Sequence, residues 1–132
     1  MTADLRFLAF SALLCLLQAV PYSHGLMLRP EVMQRGLGDR GIGEGLTGWA
    51  ARARRSHLNM IEALVPFAVL VLAVNAAGRS GRVSAFGAEV FLAARLLHVL
   101  AALAGLAWVR KTAWHLSVFG VALEALALFL PT

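Results

Sequence analysis

Four runs of apolar residues, each long enough to cross a bilayer as a helix, decide most of what this chain can become. Crossing about 30 Å of hydrocarbon takes about 20 mainly apolar residues, and residues 5–22, 57–76, 85–108 and 112–130 meet that requirement. In lipid every backbone N–H and C=O must be satisfied within the protein, which leaves helices or closed barrels. The runs lack the strict alternation of barrel strands. An all-α membrane protein follows, with four transmembrane helices in an up-down bundle whose short second and third connectors make neighbours antiparallel. A length of 132 residues accommodates one such domain, expected to span residues 1–132. Only 14% of the residues are charged and 60% are hydrophobic, against roughly 25% charged in soluble domains.

The first run resembles a signal peptide, because Arg6 precedes it and Ser23, His24 and Gly25 follow it. Its apolar core is long for that role and no A-x-A-like site ends it, so a mature helix is expected. The single cysteine, Cys15, lies within this run; it allows no intrachain disulfide or zinc cluster and is read as packing.

A net charge of +5 could suggest nucleic acid, but that partner needs a basic face on a soluble fold. Here the basic residues stand between the spans, where they act as topology signals. Arg29, Arg35, Arg40, Arg52, Arg54 and Arg55 in the first connector and Arg110 and Lys111 in the third outnumber Arg6, Arg79 and Arg82 on the other side. The positive-inside rule places the first and third connectors in the cytosol and both termini opposite. The Ala, Leu, Arg and Gly bias suits a bacterial inner membrane. Gly36 to Gly41 spell G-x-G-x-x-G, but no strand precedes them and no βαβ unit follows, so a dinucleotide site is excluded. Glycines and Pro30 are expected to form a turning loop.

Polar residues inside the spans carry the functional signal. At 100° per residue, Arg55, Asn59 and Glu62 fall on one stripe of the second helix and His57 on roughly the opposite side. An intramembrane charge costs several kcal/mol unless paired or wetted, so Glu62 is expected to face protein or an aqueous cavity. On the third helix Arg95 and His98 share a face, and a Glu62 to Arg95 contact, with Asn59 and His98 beside it, is the expected core of the site. Interhelical glue is the competing explanation for such a cluster. His24 and His115 read as interfacial, and no ligand spacing suggests a metal. Trp49, Trp108 and Trp114 suit interfacial anchoring. Glu124 could pair with Arg6, His98 or another subunit. Pro66 is expected to kink its helix. A proton-coupled exporter would want a carboxylate in the first helix, and residues 5–22 contain none.

"RRSHLNMIEALVPF", residues 54–67, closely resembles the second-helix motif R-A-H-x-N-x-x-E-x-x-x-P-F of the MAPEG family, membrane-associated proteins in eicosanoid and glutathione metabolism. "FLAARLLH", residues 91–98, is similar to that family's A-R-x-x-H motif. The resemblance covers essentially the whole chain and implies a homotrimer binding glutathione between subunits at the cytosolic side. It implies that Arg55, Asn59 and Glu62 form a polar cradle faced by Arg95 and His98. Arginines clamp carboxylates in two-pronged fashion and a carboxylate holds an ammonium. The arginine that stabilises the thiolate in the family's transferases corresponds by position to Lys111, with Arg110 beside it, and these two are the catalytic candidates. A tyrosine found in many members is Ala102 here. The implied activity is glutathione transfer to hydrophobic electrophiles, or reduction of lipid hydroperoxides, on lipophilic substrates entering from the membrane lipid. The alternative is a non-catalytic membrane scaffold or lipid-binding protein of the same fold.

Overall fold

A computed structural model describes residues 1–31, 34 and 45–130. Its principal helices are α1 (Ala3–Leu17), α2 (Ala19–Met27), α3 (Gly48–Ala76), α4 (Arg82–Ala104) and α5 (Ala107–Phe129). Helices α1 and α2 continue one another as a span over Ala3–Met27, interrupted only at Gln18, and α3, α4 and α5 are each long and apolar enough to cross a membrane. The chain is an integral, multi-pass membrane protein built as an all-α four-helix bundle.

The helix boundaries move in informative ways. Helix α3 begins at Gly48 rather than near residue 57, because buried Ala50, Ala51 and Ala53 carry the apolar face through the arginine-rich segment. Helix α4 stops at Ala104, where Gly105 takes φ +78° and the Leu106 N–H bonds to Ala101 O at 2.8 Å and Gly105 N–H to Ala102 O at 3.2 Å. This is a Schellman ending, which needs a residue with positive φ and therefore selects glycine. The connector that follows is so short that Arg110 and Lys111, expected within it, stand in the opening turns of α5. The same ending recurs at Gly78, closing α3. The G-x-G-x-x-G stretch lies outside the described residues, while Pro30 and Glu31, expected in a loop, already have helical backbone.

Helix α4 is the central element and touches α1, α3 and α5. The core gathers Met60, Phe67 and Val71 from α3, Ala88 and Phe91 from α4 and Cys15 from α1, with the Phe67 and Phe91 rings stacked. Against α5 the approach is close enough that a Cβ on Gly120 would lie 2.7 Å from Gly87 O. Large apolar side chains such as Leu16, Val65, Val69, Leu100 and Phe119 point outward, as a bilayer solvent requires. Arg52 fastens α3 to the end of α4, donating from Nε to Ala102 O at 3.0 Å and from Nη2 to Leu103 O at 3.2 Å. A cation on terminal helix carbonyls also complements the helix dipole.

At the opposite end Asp4, fully buried, lies inside α1 because that helix starts two residues earlier than the apolar pattern. Its carboxylate accepts from Asn75 Nδ2 at 2.9 Å, Ser80 Oγ at 2.9 Å, Ser84 Oγ at 3.1 Å and the Leu5 N–H at 3.0 Å. It thereby staples α1 to the α3–α4 turn, and the first helix contains a carboxylate where residues 5–22 alone offered none. Hydrogen bonds to charged groups are worth about 1.5–3 kcal/mol each. Asp4→Ala is expected to destabilise the protein by roughly 2 kcal/mol or more. An unchanged thermal unfolding midpoint in detergent would show the staple to be dispensable. Glu124, also fully buried, has neither oxygen hydrogen-bonded among the described residues, so pairing with Arg6 or His98 is not realised within the chain.

Candidate functional site

The N-terminal parts of α3 and α5, with His98 near the end of α4, border a cavity of about 810 Å³ lined by Arg55, Ser56, Asn59, His98, Ala107, Trp108, Arg110, Lys111, Trp114 and His115. That volume is within the range that holds small-molecule ligands. Its position follows from local folding. The Gly105–Leu106 corner is tight, so α5 rises directly beside the end of α4 and brings Arg110 and Lys111 over the α3 stripe. Lys111 Nζ also stands 5.7 Å from the Trp108 ring centroid, a cation–π contact at the cavity mouth.

A second cavity of about 370 Å³ adjoins it, lined by Asn59, Glu62, Ala63, Pro66, Trp114, Ser117, Val118 and Val121. Asn59 and Trp114 belong to both walls. The first chamber is therefore polar and cationic and the second mostly apolar, with Glu62 the acid on its wall.

Arg95 stands behind the cavities rather than in their walls. It is 1% exposed, yet it donates from Nη2 to Asn59 Oδ1 at 2.9 Å, from Nη1 to Ser117 Oγ at 3.4 Å and from Nε to Met60 Sδ at 3.2 Å. One guanidinium thus joins α3, α4 and α5. The expected Glu62 to Arg95 contact is not formed: Glu62 is exposed and no ion pair joins the two among the described residues. Arg95 and Glu62 depart from each other because α4 packs on the Met60 and Phe67 face of α3, while Glu62 turns toward α5 and the outside. Arg95 sits among neutral acceptors, and no carboxylate among the described residues accepts a hydrogen bond from it. Retaining a buried cation in that state is costly.

The network also fixes how Asn59 presents itself. A guanidinium only donates, so the Asn59 oxygen must face Arg95 and its NH₂ is left for the cavities. His57 points away, its Nδ1 3.2 Å from Tyr22 Oη with the rings stacked. The structure therefore brings Arg55, Asn59, His98, Arg110 and Lys111 to one cavity, places Glu62 next door and puts Arg95 beneath. Ala102 is buried and does not line the cavity; its carbonyl is occupied by Arg52.

Sequence reasoning overlooked Ser56 and did not place His115 and Trp114 in this wall. Ser56 shares a helical face with Asn59, a signal that was available; His115 and Trp114 look interfacial until the α4–α5 corner is known to be so short. His24 remains exposed and away from this wall.

A family model described as MAPEG family matches residues 5–130, nearly the entire chain. No curated protein and no solved structure is matched.

Proposed function

The chain belongs to the MAPEG family, and from that premise we propose that it is a glutathione-dependent membrane transferase or peroxidase acting on hydrophobic electrophiles or lipid hydroperoxides. The observation that carries this reading is the cavity uniting Arg55, Asn59, His98, Arg110 and Lys111 over the buried Arg95. The cationic side chains fit the two carboxylates of the tripeptide, with Asn59 NH₂ adding a neutral hydrogen bond, and Glu62 fits its ammonium. Arg110 and Lys111 would hold the sulfur as thiolate, since nearby cations favour that form. The adjoining apolar chamber supports a lipophilic co-substrate reached from the membrane lipid. In this reading the protein orients reactants and stabilises charge, with glutathione supplying the nucleophile.

The same reading extends to assembly and topology. Glu62 and Arg55 are exposed within or beside a span, and a bare carboxylate facing lipid is expensive. A homotrimer, in which the neighbouring subunit covers this face and completes the cradle, removes that cost. The basic end is assigned to the cytosol by the charge bias, in a bacterial inner membrane.

Purified protein supplied with glutathione is expected to conjugate a generic aryl halide or to reduce a lipid hydroperoxide, the products being read by chromatography. Absence of both products from a protein that still binds glutathione would favour the non-catalytic scaffold.

A further inference from the structure

Arg110 and Lys111 can stabilise a thiolate, but both are pure donors and neither can receive the proton that the thiol must lose. The hydrogen-bond pattern around His98 identifies a group that can. His98 lies one turn beyond Arg95 on the inner face of α4, is 5% exposed, and has Nδ1 3.3 Å from Ser56 Oγ. Ser56 Oγ in turn donates to Gln18 Oε1 at 3.3 Å. A hydroxyl has a single proton, and an amide oxygen can only accept. With its proton committed to Gln18, Ser56 can only accept from His98. Nδ1 therefore carries hydrogen and Nε2 carries the lone pair.

That lone pair is open. Nε2 has no hydrogen-bond partner among the described residues, and it is absent from the sealed, unpartnered atoms, which are Ser11 Oγ and the two Glu124 oxygens. His98 is among the residues that line the 810 Å³ cavity. A base oriented through its other nitrogen by a third group is the arrangement that activates serine and cysteine nucleophiles elsewhere. Gln18 holds its place because it sits at the break between α1 and α2, where it is buried against α3.

Resting on the glutathione reading above, we propose that His98 Nε2 is the catalytic proton acceptor for the bound thiol, with Ser56 and Gln18 as positioning residues. The S–H bond breaks, its electron pair stays on sulfur and the proton bonds to Nε2. The thiolate then forms the carbon–sulfur bond as the electrophile's leaving group departs with its electron pair. The imidazolium returns its proton to that group or to water. The charged and titratable groups around the ring are Arg55 from α3, Arg95 from α4 itself, and Arg110, Lys111 and His115 from α5, while α1 presents Gln18 and, one turn earlier, Cys15. The two carboxylates of the tripeptide neutralise part of this positive field on binding, so the proton arrives at a ring no longer surrounded by unpaired cations.

His115 is the competitor, since its Nδ1–H donates to Lys111 O at 2.8 Å and its Nε2 has no hydrogen-bond partner among the described residues. It is exposed, however, and held only by its own helix. The experiment uses full-length protein in detergent and follows the ultraviolet absorbance of the thiolate after rapid mixing with glutathione, with binding of S-methylglutathione measured in parallel. General base catalysis contributes about 10²–10⁴-fold. His98→Gln is expected to slow thiolate formation at saturating glutathione at least about tenfold, a loss larger than any fall in S-methylglutathione affinity. Added imidazole is expected to restore part of the rate in His98→Ala. Ser56→Ala, a smaller change whose fold is checked by thermal unfolding, is expected to slow the step by a lesser factor. Unaltered thiolate kinetics in His98→Gln or in Ser56→Ala, or a loss that follows His115→Gln instead, would overturn the assignment while leaving the glutathione reading intact. A wild-type protein that binds neither glutathione nor S-methylglutathione would overturn both.

Discussion

Arg95→Ala is expected to be among the most destabilising single substitutions in the chain, because it removes a side chain that is 1% exposed and hydrogen-bonded to Asn59, Ser117 and Met60. Loss of a buried, hydrogen-bonded charge and the resulting void together cost about 3–5 kcal/mol. The partner can be identified by a double-mutant cycle. Residues in one hydrogen-bond network couple by about 0.5–3 kcal/mol, and separated ones add. Arg95→Gln with Asn59→Leu is expected to couple by about 1–2 kcal/mol, whereas Arg95→Gln with Glu62→Gln is expected to be additive. Thermal unfolding in detergent reads both cycles. Strong coupling to Glu62 and none to Asn59 would mean that the guanidinium pairs differently from what the structure shows.

Why the sequence pointed to Glu62 rather than Asn59 is physically clear. Charge complementarity is legible in a sequence, while the rotation of one helix against another is decided by packing. Asn59 and Glu62 share a stripe, but they differ by about 60° around the axis at 100° per residue. The seat of Phe67 on Phe91 and of Met60 under Arg95 turns α3 so that Asn59 is the nearer group. The spans themselves were legible because lipid imposes a length and a composition that no loop satisfies. Their ends were less so: hydropathy places charged residues outside a helix, although Arg52, Arg54 and Arg55 belong to α3 and Arg110 and Lys111 to α5. Gly105 was the readable sign of the corner, since a glycine after an alanine-rich helix suits a left-handed ending. Asp4 was missed because it stands just outside the apolar run, and its partners Asn75, Ser80 and Ser84 are separated from it by the length of two helices.

Of the site itself, the α3 stripe and the Arg95 and His98 face were recoverable from periodicity, and the family from the motif resemblance. The division of labour was not. A sequence cannot show that Arg95 lies behind the wall while Arg110, Lys111 and His98 form it, because that depends on how closely α5 follows α4 and how tightly Gly87 and Gly120 let them approach.

The second large effect concerns those wall cations. Truncating one partner of a desolvated charge pair costs about 2–5 kcal/mol, and every 1.4 kcal/mol is about tenfold in affinity. Arg110 is half-buried and Lys111 exposed, so Arg110→Ala is expected to weaken glutathione binding by about thirtyfold and Lys111→Ala by less. The double variant is expected to lose affinity further, and the wild-type affinity is expected to fall with added salt as exposed charges are screened. Equal losses from both positions would mean that burial does not set their contributions.

The most direct measurement is calorimetric titration of glutathione into the purified wild-type protein in detergent, repeated with Arg110→Ala and with the double variant. Saturable binding at up to millimolar ligand, weakened in that order, is the predicted result. No saturable binding by a folded wild-type protein, or binding indifferent to both cations, would contradict the assignment of this cavity to glutathione.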